Sequence, residues 1–133
     1  MPVFIEYPVG LSQQDQTDLQ LIYADLPPAL LAPFDSVEQL LLAAQQDGLV
    51  VARFNGRLLA AALLRKDSDS WQMSHLCVRG LTRRRGVARR LLSEVAAAAT
   101  NNAAVLSVQP VSAPGWLLDW LAREFPALAQ INS

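Results

Sequence analysis

Residues 49–64 read LVVARFNGRLLAAALL, two apolar runs separated by Asn55-Gly56. Asn-Gly tolerates the positive φ values of a two-residue hairpin turn, so the runs are expected to be adjacent antiparallel strands. The turn-forming stretch KDSDS comes next, and WQMSHLCV, Trp71–Val78, predicts a third strand that completes a meander in mid-chain. Whatever else folds must pack around that sheet.

The flanks supply the covering layers. Val3–Tyr7 is rich in β-formers and ends at Pro8, which predicts a strand. Ser12 with Asp15 marks a helix start, and Leu19, Ile22, Tyr23 and Leu26 follow at helical spacing until Pro27 and Pro28 stop them. After an irregular PPALLAPF, Ser36 with Gln39 resembles a capping box for a helix running to about Asp47, closed by Gly48. Beyond Gly86 the apolar period changes from two to 3.6, with Val87, Leu91, Val95 and Ala98 on one helical face and Arg90 and Glu94 paired on another. Ala104–Val108 reads as a buried strand, and PGWLLDWLAREF as a last helix with Pro114 in its first turn. These elements predict an α+β fold, with a mostly antiparallel sheet flanked by about four helices in one domain spanning 1–133.

Composition narrows the partners. Eleven basic residues stand against twelve acidic ones, a net charge of −1, which speaks against a general nucleic-acid binder. Cys77 is the only cysteine, so no internal disulfide can form and a reducing compartment is expected. The start MPVFIEYPVG does not read as a signal peptide, and no apolar run approaches the ~18 residues of a membrane span. A cytoplasmic protein without membrane contact is the expectation.

The positive charge is concentrated. Arg79, Arg83, Arg84, Arg85, Arg89 and Arg90 fall within CVRGLTRRRGVARRLL, and no acid lies between Arg79 and Ser93. A strand ending at Val78 and a helix beginning near Gly86 bracket a short loop. The first N–H groups of such a helix have no internal partner and carry the positive end of its dipole, which makes an anion site. Gly86 lacks a Cβ and Ala88 is small, so a phosphate can come close to the N–H groups of Val87 and Ala88, with Arg83–Arg85 and Arg89 around it. Arg90 belongs to the helix surface through Glu94, and Arg79 is left to face a partner. The aromatics do not interleave these arginines, as a single-stranded nucleic-acid site would require.

The pattern Val78-x-x-x-x-Arg83-x-x-Gly86-Val87-Ala88, followed by Leu91-Leu92, resembles the acetyl-CoA pyrophosphate motif of the GNAT N-acetyltransferase superfamily, and the element order matches that fold across most of the chain. The resemblance implies acetyl-CoA or CoA as ligand and no metal. It places Thr82, Arg83, Arg84, Arg85, Gly86, Val87, Ala88 and Arg89 around the pyrophosphate. It sets Leu76, Cys77 and Val78 along the pantetheine and thioester through their backbone, in a cleft where HLCV and VLSV splay apart.

A ligand is not yet a reaction. Many members of the superfamily protonate the leaving thiolate with a tyrosine in the last helix; the corresponding phrase here is DWLAREF, with Trp120 at that position. An indole N–H is no acid at useful pH. His75, the only histidine, is the candidate general base if the protein is a transferase, with a structural hydrogen bond on the other side of the sheet as the alternative. Cys77 reads as a small buried residue rather than a nucleophile.

ARFNGRLLAA (52–61) together with LCVRGLTRRRGVARRLL (76–92) is similar, more narrowly, to the PanZ (PanM) group. That resemblance implies association with the aspartate α-decarboxylase proenzyme, promoting its pyruvoyl maturation and coupling pantothenate synthesis to CoA status. Arg53 and Asn55 would contact the decarboxylase, although Asn-Gly also suffices as a turn. The segment 27–48 is longer than its counterpart in the group, and REFPALAQINS lacks a clear final strand. An active N-acetyltransferase for an unknown amine is the second reading.

Overall fold

The computed structural model describes residues 3–24, 26, 28–79, 85–109 and 115–125. In chain order these form β1 (Phe4–Glu6), α1 (Gln13–Ala24), a 3-10 turn (Pro28–Leu31), α2 (Val37–Asp47), β2 (Leu49–Phe54), β3 (Arg57–Lys66), β4 (Ser70–Val78), α3 (Arg85–Asn101), β5 (Val105–Val108) and α4 (Gly115–Glu124). The sheet runs β1-β2-β3-β4-β5. The first four strands are antiparallel and β5 lies parallel to β4, the direction that an intervening helix such as α3 permits.

The expected elements are present, with adjusted ends. β1 is shorter than Val3–Tyr7, β3 runs on to Lys66, and part of the irregular PPALLAPF is the 3-10 turn. Asn55 and Gly56 take φ of 51° and 76°, both positive, as the hairpin turn requires. Ser12 Oγ accepts from the Asp15 N–H at 3.0 Å and Ser36 Oγ from the Gln39 N–H at 3.2 Å, so both caps form. The Gln39 side chain reaches back to the Asp35 N–H instead of the Ser36 N–H. On α3, Ala99 is the buried residue and Ala98 only partly so.

β3 is covered on both faces, which is why its run of Leu and Ala is almost unbroken. On one face Leu19, Ile22 and Tyr23 of α1 and Leu40 and Leu41 of α2 pack over Val51, Leu58, Ala61, Leu63 and Cys77. On the other, Val87, Leu91, Leu92 and Val95 of α3 with Trp120 and Leu121 of α4 cover Val50, Ala60, Ala62, Met73 and Leu76. Gly48 joins α2 to β2 at φ 117°, and a Cβ there would stand 2.7 Å from the Leu64 carbonyl oxygen, so only glycine fits.

The α1 face also holds two ion-pair clusters that cross long stretches of chain. Asp18 is fully buried; it accepts from Arg57 Nη2 at 2.6 Å, from Arg57 Nε at 3.0 Å and from the Leu58 N–H at 3.1 Å. The Arg57 hydrogen bonds hold the Asp18 carboxyl below its ordinary value of 3.8, against the opposing push of burial. Arg53 donates from Nε to both oxygens of Glu6 and through Nη1 and Nη2 to Asp15, each at 3.0–3.1 Å. One arginine thus ties β1, α1 and β2 together.

A lowered carboxyl pKa adds stability that is complete above the ordinary value and is lost as the pH falls through the folded-state value. Asp18→Asn should therefore lower stability at neutral pH by about 1–3 kcal/mol. The gap from the parent should narrow in acid; urea unfolding at pH 7 and again below the carboxylate range checks both.

Candidate ligand-binding cleft

β4 changes character half-way along. β5 pairs with it only over Ser70↔Val105 to Met73↔Val108, and the last bond on that side is Gln109 N–H to the Met73 carbonyl at 2.8 Å. Beyond Met73, no described strand lies against β4 on the β5 side. Its pairing with β3 also skips here: Leu63 faces Ser74, Ala61 faces Cys77, and neither His75 nor Leu76 has a register partner. His75 sits at φ 55° in the left-handed region, the mark of a β-bulge. A bulge re-aims the strand, and this one lies just past the end of the described pairing with β5.

α3 begins close to the end of β4 in sequence, seven residues after Val78. Val87 and Ala88 are buried, while Gly86 is exposed and a Cβ added to it would meet nothing within 4 Å. The helix start is therefore anchored from below, and the first N–H groups of a helix have no partner within the helix itself. Thr82, Arg83 and Arg84 lie outside the described residues, as does the side chain of Arg85.

The family model for the acetyltransferase (GNAT) domain of PanZ matches residues 2–113. The chain belongs to this family. It is 38% identical over 84 residues to the PanD regulatory factor of Escherichia coli (strain K12), an alignment covering 63% of this chain and 58% of that protein. Among solved structures it resembles the putative N-acetyl transferase YhhK of E. coli bound to coenzyme A, at 29% identity and TM-score 0.65, covering 100% of this chain and 94% of that one. A GNAT family acetyltransferase from Elizabethkingia anophelis with acetyl-CoA bound shares the fold, at 20% identity and TM-score 0.64, covering 98% of this chain and 78% of the other.

Within this PanZ-family fold, Leu76, Cys77 and Val78 lie on β4 beyond its described pairing with β5. Leu76 and Val78 turn their side chains to the α3 core and Cys77 turns to the α1 core. Cys77 is buried, with Sγ 3.2 Å from the Ile22 carbonyl oxygen. His75 is also buried and points to the α1 face. Its Nε2 lies 3.0 Å from the Ala32 oxygen and 3.3 Å from the Leu31 oxygen, its Nδ1 2.9 Å from Ser74 Oγ, and its ring 5.3 Å from that of Phe34. Two carbonyls can only accept, which assigns the ring proton to Nε2 and leaves no free nitrogen aimed at the cleft. The geometry is that of the structural alternative.

Trp120 is 2% exposed, packed edge-on against Phe125 at 5.7 Å. Arg89 lies over both rings and pairs with Glu124, so it bridges α3 to α4. Arg90 pairs with Glu94 at 2.6 Å and donates from Nε to the Val3 carbonyl. The Arg79 N–H bonds the Leu59 carbonyl at 2.8 Å. Arg53 is held by its own chain's acids, as above, and Asn55 occupies the turn, exposed.

Two features of this region went unnoticed in the sequence: the bulge at His75, and the hydroxyl of Tyr23, which donates to the His75 carbonyl at 2.8 Å. Tyr23 falls in the apolar stripe of α1, but nothing local indicates a partner 52 residues away. Among the described residues no three His, Cys, Asp or Glu side chains converge on a metal site, and no helix is long and apolar enough to cross a membrane.

Burial sets the reactivity of the single thiol. Cys77 should resist a thiol-specific reagent such as Ellman's in the folded protein and react fully in denaturant, a contrast readable by absorbance.

Proposed function

We propose that this protein is a single GNAT domain that binds acetyl-CoA or CoA and acts as a regulator of an aspartate α-decarboxylase, promoting maturation of its proenzyme and coupling pantothenate synthesis to CoA status. The observation that carries the ligand is the open start of α3 at Gly86 beside a strand that β5 leaves half-way. In this reading a helix N-terminus takes the pyrophosphate, and the part of β4 beyond its described pairing with β5 takes the pantetheine arm. Membership of the PanZ family and the likeness to a structure bound to coenzyme A support the same ligand. The regulatory role follows the PanD regulatory factor, to which the chain is similar.

In this reading Thr82–Ala88 surround the pyrophosphate, with Arg89 adding charge from the next turn when it is not held by Glu124. Acetyl transfer, the second reading, would need an acid and a base at the cleft. The buried indole of Trp120 and the engaged ring of His75 favour the regulator. Of the two tyrosines, Tyr23 is buried on the α1 face, and Tyr7 lies beside Lys66, at the end of β3 away from the cleft.

Partner contact through the hairpin would use Asn55 and Arg53. Since Arg53 already bonds Glu6 and Asp15, a partner would meet it as part of a fixed cluster rather than as a free cation.

Acetyl-CoA and CoA should each raise the melting temperature. Gly86→Asp should abolish that rise while leaving the unliganded protein as stable as before. A Cβ at this position meets nothing within 4 Å, and a carboxylate suits a helix start yet repels a pyrophosphate. An unchanged ligand response in the variant would remove the site. Mixing the protein with the cognate decarboxylase proenzyme and acetyl-CoA should accelerate self-cleavage, followed by gel electrophoresis. Steady CoA release with an added amine and no effect on the proenzyme would favour the transferase instead.

A further inference from the structure

Arg89 lies three residues after Gly86 on α3, so the two are neighbours on the helix surface. Side chains on a helix lean toward its N-terminus, a direction that would carry this guanidinium over the helix start. It is held elsewhere. Its central carbon lies 6.0 Å from the Trp120 ring centre and 5.8 Å from that of Phe125, and its Nη2 donates to Glu124 Oε1. The end of α4 thus takes hold of one side chain of α3.

The hold is firm below and weak above. Trp120 is buried, and its ring braces Phe125, so the aromatic platform is part of the core. The ion pair is at the surface: the Arg89 side chain is 51% exposed and that of Glu124 35%. Exposed pairs contribute little and can exchange partners. An arginine keeps its proton at any working pH, so what varies is its partner and not its charge. Paired with Glu124, Arg89 offers no net charge to an anion; released, it offers a full one. A pyrophosphate brings more charge and more acceptor oxygens to a guanidinium than one carboxylate does.

We propose that Glu124 is a built-in competitor for the ligand's pyrophosphate: it masks Arg89 until the phosphates displace it, and occupancy of the site releases the end of α4 from α3. The inference rests on the reading that the pyrophosphate lies at the start of α3. Trp120 then serves as the platform on which the masked arginine rests. The coupling runs both ways, since whatever strengthens the Arg89–Glu124 contact weakens the ligand, and the ligand weakens the contact in turn.

Calorimetric titration of the full chain with acetyl-CoA, carried through a double-mutant cycle, tests this. Glu124→Gln should tighten binding about two- to fivefold, the worth of one exposed ion pair. Arg89→Gln should weaken it, and Glu124→Gln added to Arg89→Gln should change it no further. Equal tightening in both backgrounds would mean that Glu124 merely repels the phosphates from a distance, and would overturn the proposal; so would no tightening at all. Melting curves of the same proteins give an independent reading. Without ligand, Glu124→Gln should melt below the wild type, and the gap should close at saturating acetyl-CoA. A gap of the same size with and without ligand would show that the ion pair survives binding, against the proposal. A wild type that does not bind acetyl-CoA would overturn the CoA reading itself, and this inference with it.

Discussion

β4 has to pair with β3 along nearly its whole length and with β5 along only its first half. The bulge at His75 is how both conditions are met, and the rest of the protein is arranged to keep it. An uninterrupted strand would let β5 continue alongside β4, close the edge and bury the backbone groups that a ligand could use. A histidine in the left-handed region costs on the order of 1–3 kcal/mol, so it persists only where the surroundings determine it. Here Tyr23 from α1, the carbonyls of Leu31 and Ala32, and Ser74 all act on one residue.

Those surroundings depend in turn on α1 being seated correctly. Two acid–arginine clusters do this from the hairpin: Asp18 with Arg57, and Asp15 with Arg53 and Glu6. Asp15 and Asp18 lie on α1 and Glu6 on β1, while Arg53 is next to the last residue of β2 and Arg57 the first of β3, on either side of Asn55-Gly56. The turn that defines the meander thus also places α1, and α1 places Tyr23 against the bulge. Asp18 is fully buried, yet its oxygens accept from a guanidinium, an amide N–H and Gln14, so its charge is compensated.

The arginine stretch divides along the same lines. Arg89 and Arg90 are surface links, one to α4 and one to Glu94, with the start of α3 between them and the end of β4. The start of α3 is itself anchored by the buried Val87 and Ala88, beside a Gly86 whose added Cβ would meet nothing within 4 Å.

Much of this was determined by sequence. Asn55-Gly56 between apolar runs dictated the hairpin, Ser12 and Ser36 the helix starts, the change of period at Gly86 the third helix, and the arginine-glycine pattern the family. Each depends on neighbours within a few residues, where turn geometry, capping and periodicity act. The bulge at His75, the bond from Tyr23, the burial of Asp18 and the engagement of Arg53 were decided only by tertiary structure. The last three join groups 38 to 52 residues apart, and a strand pattern such as WQMSHLCV looks the same whether or not it carries a bulge. Local chemistry chose the fold and the family; packing between distant segments chose how the backbone of β4 is shaped at His75.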